Sequence, residues 1–245
     1  MSLDAVKALV FDTFGTVVDW RTSVSRDLAA FGKRKGIEAD WLAFADAWRA
    51  GYKPAMDTVR KGLRPWANID VLHRERLEQL LEDFGIHGLT EDELRYLNDT
   101  WHRLAPWPDV LPGLQRLKQH YILSTFSNGS VPCLVGMAKH AGLPWDAIYS
   151  ADIARHFKPD PEVYLGVIDF FALQPGEVML VAAHNGDLRH ARSHGMRTAY
   201  IHRPTEYGPA QSKDLRAEED WDVIVPGMDR LADTLLGEQA PGRPA

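Results

Sequence analysis

Apolar runs of four to eight residues alternate with amphipathic stretches along much of the chain, and the two patterns separate into zones. Val6 to Phe11 is short and wholly apolar, the pattern of a buried parallel strand; Gly15 ends it, which places Asp12 at the strand's carboxyl end. From about Thr22 to Leu104 only helical patterns follow, with no convincing strand between them. Trp41, Phe44, Ala45, Trp48 and Tyr52 recur at three- and four-residue spacing behind Asp40, which suits an N-cap. "DVLHRERLEQLLEDFG" and "TEDELRYLNDTWHRL" continue the series, the second with Thr90 and Glu93 in capping-box spacing. From "PWPDVLPGLQRLKQH" onward strands and helices alternate: "YILSTFS", "AIYSAD", "VMLVAAH", "TAYIHR" and "WDVIV" are the strands. Such alternation predicts an α/β fold with a parallel sheet and right-handed crossovers. The expected division is a Rossmann-like core over 1–17 and 105–236, an inserted all-helical cap over 18–104, and a flexible Gly- and Pro-rich tail over 237–245.

Composition narrows the partners. The net charge is -6 and no block of Lys and Arg interrupts it, so neither a nucleic-acid footprint nor a polybasic membrane patch is expected, and a small molecule becomes the default ligand. Cys133 is the single cysteine, which excludes an internal disulfide; it falls near the apolar stripe of a helical pattern, where a buried, unreactive thiol is expected. No secretory leader pattern and no apolar run of bilayer length is present, so a cytoplasmic location is expected.

Four polar clusters fall at the ends of predicted core strands. Asp12 alone reads equally as a turn or capping residue or as a group at the ligand-binding edge of an open α/β sheet. Ser127 and Asn128 follow a strand and precede a helix, an arrangement that suits an anion. Lys158 stands before two prolines, with Tyr164 on the helix that follows, and His184, Asn185 and Asp187 crowd the end of "VMLVAAH". Each cluster alone is an ordinary turn or solvated loop; their shared edge gives them weight.

In this order the clusters resemble the four motifs of the haloacid dehalogenase (HAD) superfamily: "DTFGT" the nucleophile loop, "SNG" the second motif, Lys158 the third and Asp187 the fourth. Receiver domains also combine Asp, Ser or Thr and Lys on a parallel sheet, but they are shorter and lack a helical insert. The superfamily's phosphatases carry Asp-x-Asp in the first motif, the second Asp protonating the leaving alkoxide. Here Phe14 stands there, and a halide, unlike an alkoxide, leaves without a proton. The resemblance therefore narrows to the (S)-2-haloacid dehalogenases, with Arg49 of "AWRAGY" matching the cap arginine and Tyr164 the tyrosine six residues after the lysine.

The resemblance implies hydrolysis of short (S)-2-haloalkanoic acids to 2-hydroxy acids with inversion, through an ester on Asp12. Lys158, Asp187, Thr16, Asn185 and His184 would be catalytic, and Phe14, Arg49, Trp48, Ser127, Asn128 and Tyr164 would bind substrate. No metal and no cofactor is expected; the implied partners are a 2-haloacid, the released halide and a second copy of the chain in a homodimer. A Mg²⁺-dependent phosphatase acting on a small phosphate ester is the alternative. One departure stands out: Ala182, Ala183 and His184 replace the serine- and asparagine-bearing fourth motif, so what positions the hydrolytic water is open. His184 there suits either a donor to halide or water, or a structural histidine. The "AAHNGD" pattern resembles a subgroup with defluorinating members.

Overall fold

The computed structural model describes residues 3–237, so the expected tail beyond Gly237 lies outside the described residues. Six parallel strands form one sheet in the order β3-β2-β1-β4-β5-β6: β1 (Ala8–Phe11), β2 (Ile122–Ser127), β3 (Ala147–Ser150), β4 (Val178–Ala182), β5 (Arg197–Ile201) and β6 (Val223–Val225). All four residues of β1 and all five of β4 are buried, as uninterrupted apolar strands covered on both faces must be. The register sets Phe11 opposite both Thr125 and Val181. The residues following β1, β2 and β4 therefore emerge at one edge, and the order reverses beside β1, the crevice where open α/β sheets take ligands.

Between β1 and β2 the chain builds α1 (Trp20–Lys35), α2 (Trp41–Arg60), α3 (Ile69–Asp83), α4 (Glu91–Asn98) and a 3₁₀ turn, Asp99–Arg103. Asp19, Asp40, Asn68 and Thr90 each cap a helix by accepting a bond from a first-turn backbone N–H, and Thr90 and Glu93 complete the capping box. These helices form the all-helical insert the sequence pattern predicts. The remaining helices flank the sheet: α5 (Val110–Leu117), α6 (Val131–Ala141), α7 (Ala151–Ala154), α8 (Pro161–Phe170), α9 (Asn185–Ser193) and α10 (Met228–Leu236). The strand expected over "AIYSAD" stops at Ser150, whose side chain accepts from Asp152 N and turns the chain into α7.

One continuous apolar cluster joins insert and sheet. Leu28, Trp48 and Leu77 from the inserted helices belong to the same packed body as Leu9, Leu114 and Met228. Cys133 is buried on α6, and burial pushes its thiol well above the usual range. Among the described residues no helix is long and apolar enough to cross a membrane. The segment 202–222 has neither helix nor strand, yet it is pinned to the core by side chains.

Candidate active site

Asp12 is the first residue past β1; its N–H still donates to Val181 O at 3.0 Å, so the last ladder bond fixes where its side chain begins. Its carboxylate is held by three donors. Lys158 Nζ lies 2.9 Å from Oδ1, while Thr16 Oγ1 at 2.7 Å and His184 Nδ1 at 2.9 Å share Oδ2. Thr16 Oγ1 accepts from Ala183 N at 2.9 Å, which commits its own proton to Asp12. Arg203, paired through both guanidinium ends with Asp109, donates to Thr16 O and steadies the turn that follows the strand.

Each holder is itself held. Asn128 Oδ1 accepts from Lys158 N at 2.7 Å, so the loop after β2 sets the lysine's backbone. Lys158 Nζ also bonds Asp187 Oδ2, and Asp187 Oδ1 accepts from Tyr164 Oη at 2.6 Å. His184 Nε2 lies 2.9 Å from Glu206 Oε2, and Glu206 Oε1 accepts from Trp20 Nε1 at 3.1 Å. Since both partners of the imidazole are carboxylates, both ring nitrogens donate and the ring is an imidazolium.

The electrostatics agree. Burial opposes a charge on Asp12, but the Lys158 ammonium and the His184 imidazolium overcome it and hold the carboxyl far below the usual range. Burial also works against charge on Lys158 and His184. Asp12 and Asp187 raise the first, and Glu206 with Asp12 raises the second, well above their ordinary values. Asp12 is thus an ionised, oriented carboxylate in a nearly dry setting, which is what a nucleophile requires. A divalent cation that bridged Asp12 and Asp187 would need the place Lys158 Nζ takes, so this donor set does not fit one.

A cavity of about 680 Å³ opens between the inserted helices and the sheet edge, with Trp20, Arg49, Tyr52, Lys158, His184 and Tyr207 in its wall. Arg49 lies 4.4 Å over the Tyr52 ring and 5.5 Å over Trp20, and its buried Nε has no hydrogen-bond partner. A guanidinium stacked between rings, with a donor unspent, suits an anionic guest. Phe14 is buried, edge-on to Tyr52 at 6.1 Å and to Trp101 at 5.8 Å.

Four expected site residues have other work. Trp48 is fully buried, donates from Nε1 to His73 O and packs edge-on against Trp101, so it forms the insert's core, not the cavity wall. Asn185 spends its amide on Asp214, Arg216 O, Glu218 N and Trp221 Nε1; it fastens the 202–222 segment and is not free to orient water. Ser127 Oγ accepts from Gly129 N and shapes the turn after β2. Tyr164 is buried beneath the site and holds Asp187. Two residues that sequence reasoning passed over, Glu206 and Trp20, complete the ring around His184. A lone Glu in a loop carries no motif; its trace is Gly15, where a Cβ would stand 2.2 Å from the Glu206 carboxylate.

Comparison with known proteins gives one consistent answer. Residues 6–195 match the haloacid dehalogenase-like hydrolase profile. The chain is 28% identical over 232 residues to (S)-2-haloacid dehalogenase 1 of Pseudomonas sp. (strain CBS-3), covering 86% of this chain and 92% of that one. Among solved structures it is 47% identical to the defluorinating L-2-haloacid dehalogenase Rha0230, with a TM-score of 0.92 and coverage of 94% and 95%. The L-2-haloacid dehalogenase PA0810 is 48% identical, with a TM-score of 0.92 and coverage of 95% and 99%.

Proposed function

The chain belongs to the haloacid dehalogenase-like hydrolases, and from that premise we propose that it is an (S)-2-haloacid dehalogenase, cleaving the carbon–halogen bond of short 2-haloalkanoic acids by hydrolysis. Phe14 carries this reading. It is a buried, aromatic-packed residue at the position where a phosphatase of this fold needs a proton donor, so the site serves a leaving group that departs without one. Arg49 supports it by supplying an unspent cation to a carboxylate or halide.

In the reaction, one oxygen of Asp12 attacks C2 from the face opposite the halogen. The carbon–halogen electron pair leaves with the halide, C2 inverts, and Asp12 becomes an ester. Water then adds to the Asp12 carbonyl carbon, the acyl–oxygen bond breaks, and the 2-hydroxy acid departs. Lys158 and His184 offset the repulsion between the anionic nucleophile and the anionic substrate. Thr16 donates to the carboxylate oxygen that must carry negative charge when water adds. No step uses a metal, because Lys158 supplies the bridging charge.

Halide release from (S)- and (R)-2-chloropropionate, chloroacetate and fluoroacetate, measured in EDTA, tests this. The expected result is release from the (S) enantiomer only and its loss in Asp12→Asn. Mg²⁺-dependent hydrolysis of a phosphate ester without halide release would overturn it. The fluoroacetate arm tests the likeness to the defluorinating relative. The same reading expects a homodimer, which light scattering at twice the chain mass would support.

A further inference from the structure

Where the inserted helices return to the sheet, away from the cavity, three chemically different side chains from three elements meet. Asp70 stands on α3, His102 in the 3₁₀ turn Asp99–Arg103, and Cys133 on α6. A carboxylate oxygen, a ring nitrogen and the sulfur of these residues lie within 4.8 Å of one another. We propose that Asp70, His102, Cys133 and the neighbouring His73 form a Zn²⁺ site that fastens the insert to the core. The site stands apart from the dehalogenase reading and uses none of the residues assigned to it.

The donor set selects the metal. Thiolate, imidazole and carboxylate together suit Zn²⁺, whereas Mg²⁺ and Ca²⁺ take oxygen ligands. Around tetrahedral Zn²⁺ such ligand atoms stand about 3.3–3.8 Å apart, so these three have at most about 1–1.5 Å to close. His102 Nε2 already lies 3.1 Å from Asp70 Oδ1, and Ser130 Oγ donates to Asp70 Oδ2 at 2.5 Å, which orients the carboxylate. Gly136 lets α6 approach the turn, since a Cβ there would stand 3.2 Å from His102 Cβ and 3.4 Å from its Nδ1. Asp70 and His102 are partly exposed, which gives an ion its way in, while Cys133 is wholly buried.

His73 is the independent sign of a ligand. It follows Asp70 by three positions on α3, so the two side chains share a face of the helix. Its ring stacks on Trp101, the residue before His102 and the one whose carbonyl accepts from Cys133 Sγ at 3.4 Å. Both of its ring nitrogens are buried and neither has a hydrogen-bond partner. Burial keeps the ring neutral, so a lone pair is left unspent at a cost that a fourth metal bond would remove.

Charges and protons balance. Burial opposes a charge on Asp70, but the bonds from His102 and Ser130 outweigh it and keep the carboxyl ionised. Burial holds the Cys133 thiol protonated until the ion arrives. Binding then breaks the S–H bond, forms Zn–S and gives that proton to solvent. His102 ligates through Nε2 with its ring proton moved to Nδ1, and His73 ligates as the neutral ring it already is. Two anions and two neutral imidazoles thus cancel the charge of the ion, with one proton released per Zn²⁺.

Co²⁺ in place of Zn²⁺ makes the site visible, because a cobalt–thiolate bond absorbs strongly in the near ultraviolet and Cys133 is the chain's single cysteine. The full chain, stripped with EDTA and dialysed, is expected to bind one Co²⁺ with that band and to lose the band when Zn²⁺ is added. Calorimetry in buffers of different ionisation enthalpy should find one proton released per Zn²⁺. Zn²⁺ affinity should fall at least roughly 10²-fold in Cys133→Ser, His102→Gln and His73→Phe, and roughly 10-fold in Ser130→Ala, with circular dichroism checking that each variant is folded. Zn²⁺ should also raise the Tm of the wild-type protein and not that of Cys133→Ser. Co²⁺ binding without the thiolate band, or stabilisation by Zn²⁺ that survives in Cys133→Ser, would overturn the site, and unchanged affinity in His73→Phe would overturn its fourth ligand. Should Cys133→Ser fail to fold, the band in the wild-type protein decides by itself.

Discussion

His73 sits at 2% exposure with neither ring nitrogen bonded, stacked on Trp101 at a centroid distance of 4.4 Å. Burial, with Arg49 and His102 adding to it against the pull of Asp70, holds it neutral down to about 3. The unfolded chain titrates this group near its ordinary 6.5, so between those values the unfolded state binds more protons. Its contribution is therefore complete above pH 6.5 and lost as pH falls toward 3, with a slope approaching about 1.4 kcal/mol per pH unit. His73→Phe should flatten that limb in urea titrations between pH 6 and 4, and an unchanged slope would remove His73 from the account. Lys158 shows the opposite case, a charge kept because two carboxylates converge on it. Lys158→Met should abolish turnover and raise the pH at which Asp12 titrates, measured by the pH dependence of the residual alkylation rate.

At the scale of elements, α9 begins with a residue whose amide ties down twenty-odd positions of irregular chain. Asn185→Ala would strand Trp221 Nε1 and Glu218 N without acceptors, at a cost of about 2–3 kcal/mol. Because the same segment carries Glu206, turnover should fall with it; urea unfolding and steady-state kinetics on one preparation check both. The helices and strands were readable because each states its period and its cap in neighbouring residues: Asp40 before the Trp41–Tyr52 stripe, Thr90 before Glu93, unbroken apolar runs for β1 and β4. Asp12 was readable because it directly follows β1, whereas Lys158, beyond α7, and Asp187, in the first turn of α9, were read from the order of the motifs. Asn185 was misassigned because an amide that fastens a loop and an amide that turns a water are the same residue. Trp48 was misassigned because helical spacing says which face is apolar and not which neighbour it meets. Glu206 was passed over because a segment with no period leaves its long-range partners unstated.

For the molecule as a whole, insert and sheet share one apolar body, and polar ties cross between them. Arg60 on α2 bonds Asp160 ahead of α8, and Ser130 ahead of α6 donates to Asp70 on α3. Calorimetry should accordingly show a single transition whose calorimetric and van't Hoff enthalpies agree, although the chain order suggests two units. Two separate peaks would show that the insert melts independently. The close approach of Gly15 and Glu206 also binds together two parts of the chain remote in sequence. Gly15 has φ +87°, and the space beside its Cα belongs to the Glu206 carboxylate. Any side chain at 15 is thus penalised twice, and shortening Glu206 relieves one penalty only. The two positions are epistatic: a mutagenesis library that diversifies 15 against a fixed Glu206 will return glycine alone, and variants that bypass the glutamate must be sought by varying both sites together.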